Sequence, residues 1–280
     1  MIPVPAVLSA REGRLPLPRA LVFACVALGS VLLADPASAE GVLARIREAG
    51  VIRMCADPQS PPYSIDDSQQ PGIDIEIARL IAERLGLRLK VVWNETYFTG
   101  RAIRRQLFRQ RKCDCFLGLP IGRYDEDLSF TRPYYGSGYV LVVRDGADKV
   151  RTLAGLKGGK IGVEVWTIAD GELHDRGYER GLYRNQMETI EAIQKGEVDA
   201  GLLWAPLFGW IKRTHPELAV TMADGYVPEP ALRRNIAIGL RKEDEDLRAA
   251  LDRAIGDLLA GGTVPEVLAR YGVRFYPPFE

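Results

Sequence analysis

The sequence predicts an α/β fold of two lobes, each a mainly parallel sheet flanked by helices, with a cleft between them. Three observations predict it. Short apolar runs alternate with segments whose apolar residues recur at helical spacing, the pattern of strands joined by crossover helices. That alternation occurs twice, before and after the glycine-containing stretch Gly136-Ser137-Gly138. The chain has 280 residues, 47% of them apolar, which is enough for two packed cores.

The N-terminus comes first. Arg11, Arg14 and Arg19 precede an apolar run from Ala20 to Ala34, and Ala37-Ser38-Ala39 follows. This is the layout of a secretory signal cleaved after Ala39. The run is short of the roughly 20 residues that span a bilayer, and no later segment is long and apolar enough, so no membrane span is expected in the mature form. Cys25 lies inside the run without small residues at both preceding positions, which argues against a lipid anchor.

Beyond the leader, Val51 to Ala56 forms a strand pattern, Asp57 to Pro62 supplies turn residues, and Ile73 to Leu85 has helical spacing. Leu87 to Trp93 repeats the strand, Gly100 to Arg111 is a basic amphipathic helix with a solvated face, and Cys115 to Leu119 is a third strand. The second unit begins with Gly136-Ser137-Gly138, whose glycines suit a hinge, ahead of a strand at Tyr139 to Val143. Lys160 to Glu164 and Val198 to Leu203 are buried strands, with helices at Ile168 to Asp175 and Met187 to Lys195. A strand at Ile236 to Leu240 leads to helices at Glu243 to Leu259 and Pro265 to Tyr271, and this tail returns to the first lobe. The expected division is a signal at 1–39, one lobe from 40–136 with 235–280, and the other at 137–234.

Composition removes several function classes. Lysine plus arginine equals aspartate plus glutamate at 37 each, so no overall field favours nucleic acid or an anionic membrane. Removing the leader leaves Cys55, Cys113 and Cys115, which allow one internal disulfide and one free thiol, with the pairing open. Cys113-Asp114-Cys115 is too small a set for a zinc site in a chain with only His174 and His215, both in charged or turn contexts. No metal or cofactor is expected. The chain lacks a Gly-x-Ser-x-Gly elbow, a His-Glu-x-x-His helix and a phosphate loop. Asp57 and Glu164 form the one conceivable acid/base pair, and capping of loop amides is the simpler role for each.

Several local sequences resemble the family-three solute-binding proteins, which include the amino-acid receptors of bacterial transporters. The resemblance rests on Pro61-Pro62-Tyr63-Ser64 with Pro71 to Ala78, on Ser129 to Tyr135, on Leu153 to Val163, on Gly196 to Ala200, and on Gly261-Gly262-Thr263 with Ala269 to Gly272. It implies the type II periplasmic binding protein fold, a periplasmic location and a small-molecule ligand in the interlobe cleft. Ligands of open α/β sheets bind beyond the carboxyl ends of strands. The candidate ligand-binding residues are therefore Asp57, Tyr63, Trp93, Gly118, Pro120, Arg123, Tyr139, Glu164, Trp166, Thr167 and Trp204, with Tyr63, Trp93, Trp166, Thr167 and Trp204 looking into the cleft.

Two departures from the family matter. The arginine that clamps the substrate carboxylate falls out of register, because Leu119 to Glu126 is about two residues short, leaving Arg123 as the nearest candidate. Trp204 stands where the resemblance puts the aspartate that binds the substrate amine. An ordinary amino acid is thus not the expected ligand. A narrower resemblance, through Cys55-Ala56-Asp57-Pro58, Lys112-Cys113-Asp114 and Leu203 to Trp210, is to accessory periplasmic proteins of pyrroloquinoline-quinone alcohol dehydrogenases. It implies a quinoprotein dehydrogenase as partner. The alternatives are an adaptor for a periplasmic dehydrogenase without a tight ligand, an amino-acid receptor serving an ABC permease, and a dehydratase built on the same cleft.

Overall fold

The computed structural model describes residues 41–95, 100–122, 128–147 and 151–280. The leader with Cys25 and Ala37-Ser38-Ala39, and the candidate Arg123, lie outside the described residues. The first half runs α1 (Val42–Ala49), β1 (Val51–Ala56), the small hairpin β2 (Gln59–Ser60) and β3 (Ser64–Ile65), α2 (Ile73–Arg84), β4 (Arg88–Trp93), α3 (Gly100–Arg104), β5 (Cys115–Pro120) and β6 (Ser129–Phe130). Then come β7 (Tyr135–Arg144), β8 (Lys160–Glu164), α4 (Ile168–Asp175), β9 (Glu179–Tyr183), α5 (Gln186–Lys195), β10 (Ala200–Trp204), α6 (Ala205–Thr214) and β11 (Val220–Met222). The chain ends with β12 (Arg233–Leu240), α7 (Glu245–Ala260) and α8 (Thr263–Arg270).

The strand order is β4-β1-β5-β12-β7-β10-β8-β9, with β6 on β12 and β11 on β7. β4, β1 and β5 are parallel, as are β10, β8 and β9. Between these sets lie β12 and β7, antiparallel to each other and to their neighbours. Two parallel half-sheets are thus joined by two long strands that cross from one to the other. One apolar cluster gathers β1, α2, α7 and α8 around Ile52, Ile77, Leu251 and Leu268. Another gathers β7, β8, α5 and β10 around Leu141, Ile161, Ile190 and Leu202. Each such buried aliphatic side chain contributes about 1.5–3 kcal/mol.

The glycines at 136–138, expected at a hinge, belong to one of the two strands that join the half-sheets. They lie inside β7, pairing with β12 through Gly138↔Arg233 and Gly136↔Asn235. A Cβ on Gly136 would sit 2.7 Å from the Phe279 ring, and one on Gly138 2.5 Å from Pro228. Close approach by the C-terminal tail and the Pro228 loop, rather than backbone freedom, demands glycine here. The basic helix is also cut short. α3 stops at Arg104 and continues as a π turn at Arg105–Arg109, which turns Gln106 inward to donate to Asn94 Oδ1 at 2.7 Å while the arginines face water.

Cys55 and Cys113 form the disulfide, across a separation of 58 residues. Alternation along a strand puts neighbouring residues on opposite faces of the sheet. Cys55 and Cys113 pack with Phe116 and Leu107 on one face, while Cys115 packs with Met54 on the other. Burial pushes the Cys115 thiol far up, so it stays protonated.

Candidate functional site

The parallel strands of each half end at a common side, and the loops that follow them carry the candidates. Asp57 follows β1 and is buried. Its Oδ1 accepts from the amide of Gln59 at 3.0 Å and its carbonyl accepts from Ser64 Oγ at 2.7 Å, so it shapes the hairpin that presents Tyr63. Trp93 ends β4 and packs half-buried against the first core. Gly118 and Pro120 end β5. At Gly118 the backbone is left-handed, and two residues, Leu117 and Gly118, oppose the single residue Ile238 of β12. This β-bulge flips the alternation of the strand, so that Leu119 joins the cluster of Phe116.

From the second half, Trp204 ends β10 and pairs with Tyr139 of β7. Their rings meet edge to face at 5.2 Å. The Trp204 indole N–H donates to the Tyr63 hydroxyl, a hydrogen bond that bridges the two half-sheets. Helix α6 starts at once after Trp204, with Pro206 in its first turn, and continues the bridge. Trp210 stacks on Tyr271 at 6.1 Å, Arg213 lies over both rings, and Gly209 meets Gly272 so closely that a Cβ would fall 2.3 Å from the Gly272 carbonyl oxygen.

Glu164 and Thr167 flank the loop between β8 and α4. Thr167 caps α4 by accepting from the amide of Asp170 at 3.2 Å, and donates to the Glu164 carbonyl at 2.7 Å. Burial pushes the half-buried Glu164 carboxyl up. Trp166, expected to look into the cleft, touches little of the folded chain. Its side chain stands in solvent at 93% exposure, and its backbone is left-handed at φ 62°, held by a 3.0 Å hydrogen bond from its amide to Asp170 Oδ2. A non-glycine residue in that region costs about 1–2 kcal/mol.

Tyr63, Tyr139 and Trp204 are therefore brought into direct or consecutive contact, with Gly118 behind them. Trp166 and Thr167 lie on the separate loop between β8 and α4. Asp74 was missed. It sits in the first turn of α2, buried, and accepts from the Tyr134 hydroxyl at 2.6 Å, while Tyr134 accepts from the Gly118 amide at 3.1 Å. Its Oδ2 lies where a side chain on Gly118 would be, 2.1 Å from the Cβ position. Burial raises the Asp74 carboxyl to about 7, against the lowering effect of the Tyr134 hydrogen bond. Tyr63 and Tyr135 also feel its charge and are pushed up, chiefly by burial. The available signal was a carboxylate in an isoleucine-rich helix start, Ile73-Asp74-Ile75-Glu76-Ile77.

Of the other expected features, Cys113 is consumed by the disulfide and Asp114 by Arg53, which leaves the Cys113-Asp114-Cys115 triplet no role as a metal clip. His174 and His215 are exposed. Among the described residues no helix is long and apolar enough to cross a membrane.

The model of bacterial extracellular solute-binding proteins, family 3, matches residues 52–274. The chain is 28% identical over 234 residues to the L-cystine-binding protein TcyJ of Escherichia coli (strain K12), covering 80% of this chain and 84% of that one. It is 27% identical over an alignment of 300 residues to Protein MoxJ of Methylorubrum extorquens, covering 92% and 94%. Among solved structures, the L-cystine solute receptor of Neisseria gonorrhoeae in its unliganded open conformation matches with a TM-score of 0.71 at 18% identity, over 85% of this chain and 100% of that one. That likeness shows the two-lobed type II binding fold. With the family model matching most of its length, the chain belongs to the bacterial extracellular solute-binding proteins, family 3.

Proposed function

We propose that the chain is a periplasmic binding protein, exported by a cleaved leader, that takes a small solute other than an ordinary amino acid and works beside a quinoprotein alcohol dehydrogenase, without catalysing a reaction itself. Trp204 carries this reading. At the position where the resemblance puts an amine-binding aspartate, the chain presents an indole N–H already committed to Tyr63. An indole nitrogen only donates, and so does an ammonium group, so no hydrogen bond like that to an aspartate can form between them. The rings of Tyr63, Tyr139 and Trp204 offer apolar faces and edges instead. The proposal takes 40–136 with 235–280 as one lobe and 137–234 as the other, with Asp57, Trp93, Gly118, Pro120, Arg123, Glu164 and Thr167 around the same cleft.

Two observations support the dehydrogenase association. The motifs that resemble quinoprotein accessory proteins include both half-cystines and the whole Trp204–Trp210 bridge. Protein MoxJ is matched over 92% of this chain, against 80% for TcyJ. A second reading, an adaptor with no tight ligand, is favoured by Trp166, an exposed indole on a strained backbone at the cleft rim.

Native mass spectrometry of the protein purified from its own periplasm tests both readings. A stoichiometric non-amino-acid solute released on denaturation is the expected result. An empty chain co-purifying with a dehydrogenase supports the adaptor. Calorimetric titration with cystine, histidine and arginine is expected to give no saturable heat, and tight binding of any of them would return the chain to the amino-acid receptors.

A further inference from the structure

The half-sheets meet at a short joint. β12 pairs with β5 from Ile236 onward, and β7 pairs with β10 from Tyr139 onward. Between these points, residues 136–138 and 233–235 pair only with each other among the described strands. The end of the chain lies across this joint. The match to the family model ends at residue 274, and Phe275-Tyr276-Pro277-Pro278-Phe279-Glu280 follows.

The tail holds both strands of the joint at one register. The Gly136 amide of β7 donates to the Tyr276 carbonyl at 2.8 Å, an antiparallel bridge. Opposite Gly136 on β12 is Asn235, whose Nδ2 donates to the Phe279 carbonyl and whose Oδ1 accepts from the Phe279 amide, each at 2.8 Å. An amide side chain carries both a donor and an acceptor, so it pairs with a peptide group as another strand would. Arg233, two residues along on the same face, lies over the Phe279 ring at 4.6 Å. The tail is rooted in the first core by Val273 and Phe275. Pro277 and Pro278 stand between its two anchors, and their fixed φ reduces the entropy lost on docking.

The side of the joint that the tail covers gives the sign of its effect. Gly136 and Gly138 face the tail and Pro228, whereas Tyr139, of opposite parity along β7, faces Trp204. The tail thus lies on the back of the joint, away from the Tyr63–Trp204 contact, with the Pro228 loop of the second half beside it. A two-lobed fold opens by changing the backbone angles of a few residues where its lobes join. Opening on the Trp204 side brings the two halves together at the back, where the tail already fills the space. We propose that residues 276–280 are a strap that wedges and stiffens the joint, limiting how far the half-sheets open and so favouring the closed cleft.

Small-angle X-ray scattering and hydrogen exchange on the exported chain from residue 40, with no ligand added, test the strap. Deletion of 276–280 is expected to raise the radius of gyration by about 1 Å, from the roughly 18 Å of a compact chain of this size. Exchange of the amides at 137, 138, 233 and 234 is expected to quicken about tenfold. Asn235→Ala should move both readings the same way by less. Tyr276→Phe keeps the ring and the carbonyl and loses only a buried hydroxyl that has no partner among the described residues, so it is expected to match the parent. Exchange at Ile52 and Leu202, in the two cores, reports folding. If the deletion quickens it, Asn235→Ala decides alone. Scattering identical to the parent's, even with faster exchange at the joint, would overturn the proposal. None of these readings depends on what the cleft binds.

Discussion

Asp74 shows what a single buried carboxyl does to the molecule. Its folded pKa, about 7, lies above the ordinary aspartate value of 3.8, so between those pH values the folded chain holds a proton that the unfolded chain has released. Stability from this group is therefore complete below about pH 4, falls as pH rises towards 7, and stays low above it. Asparagine keeps an acceptor for Tyr134 and cannot ionise. Denaturant unfolding across pH 4 to 8 is expected to show Asp74→Asn gaining on the parent by about 2–4 kcal/mol, with the gain absent near pH 4, growing towards pH 7 and persisting above it. A difference that does not change with pH would mean that the carboxyl is solvated.

At the scale of elements, α6 joins the two halves. It begins at Trp204, whose indole reaches Tyr63, and its middle turn meets α8 through Gly209, Gly272, Trp210 and Tyr271. Gly209→Ala would drive a methyl into the Gly272 carbonyl. It is expected to lower the stability of the chain by about 1–3 kcal/mol in urea unfolding, whereas Ala at Gly171, which has open space, is expected to cost little. This helix was not legible in the sequence, because Ala205-Pro206 resembles a turn and its proline is tolerated only as part of the first helical turn. β9 was missed because Glu179-Arg180-Gly181 lacks apolar alternation, being a sheet edge whose Arg180 pairs with Asp170 of α4. The strands β1, β4, β5, β8 and β10 and the long helices α2 and α7 were legible, since each carries its period in consecutive apolar residues. Site residues were legible as loop positions after those strands, which is why Tyr63 and Trp204 were named together. Their mutual bond and the Asp74–Tyr134–Gly118 network depend on contacts across 16 to 141 residues that no local pattern carries.

For the whole molecule, the disulfide closes a loop that contains α2, β4 and α3 and ends beside the cleft loop at Asp57. Closing so long a loop stabilises the folded chain by about 4 kcal/mol in the loop-entropy account. Paired replacement of Cys55 and Cys113 by alanine is expected to lower the unfolding free energy by about 2–5 kcal/mol. The reduced parent should fall to the same level in calorimetry. A parent unaffected by reductant would show that the second core sets the stability alone. Cys115 cannot replace either partner while the sheet is folded, because it lies across β5 from both.

The placement of the four tryptophans makes the protein its own optical reporter. Trp93, Trp204 and Trp210 pack against the first core, and Trp166 alone is bathed in solvent. Iodide in solution therefore reaches this emitter far more readily than the three partly buried ones, and the proposed cleft places it at the mouth. Whatever covers that mouth, solute or protein, darkens or shields a single known residue, so occupancy can be followed in the unlabelled chain by the quenchable fraction of its emission.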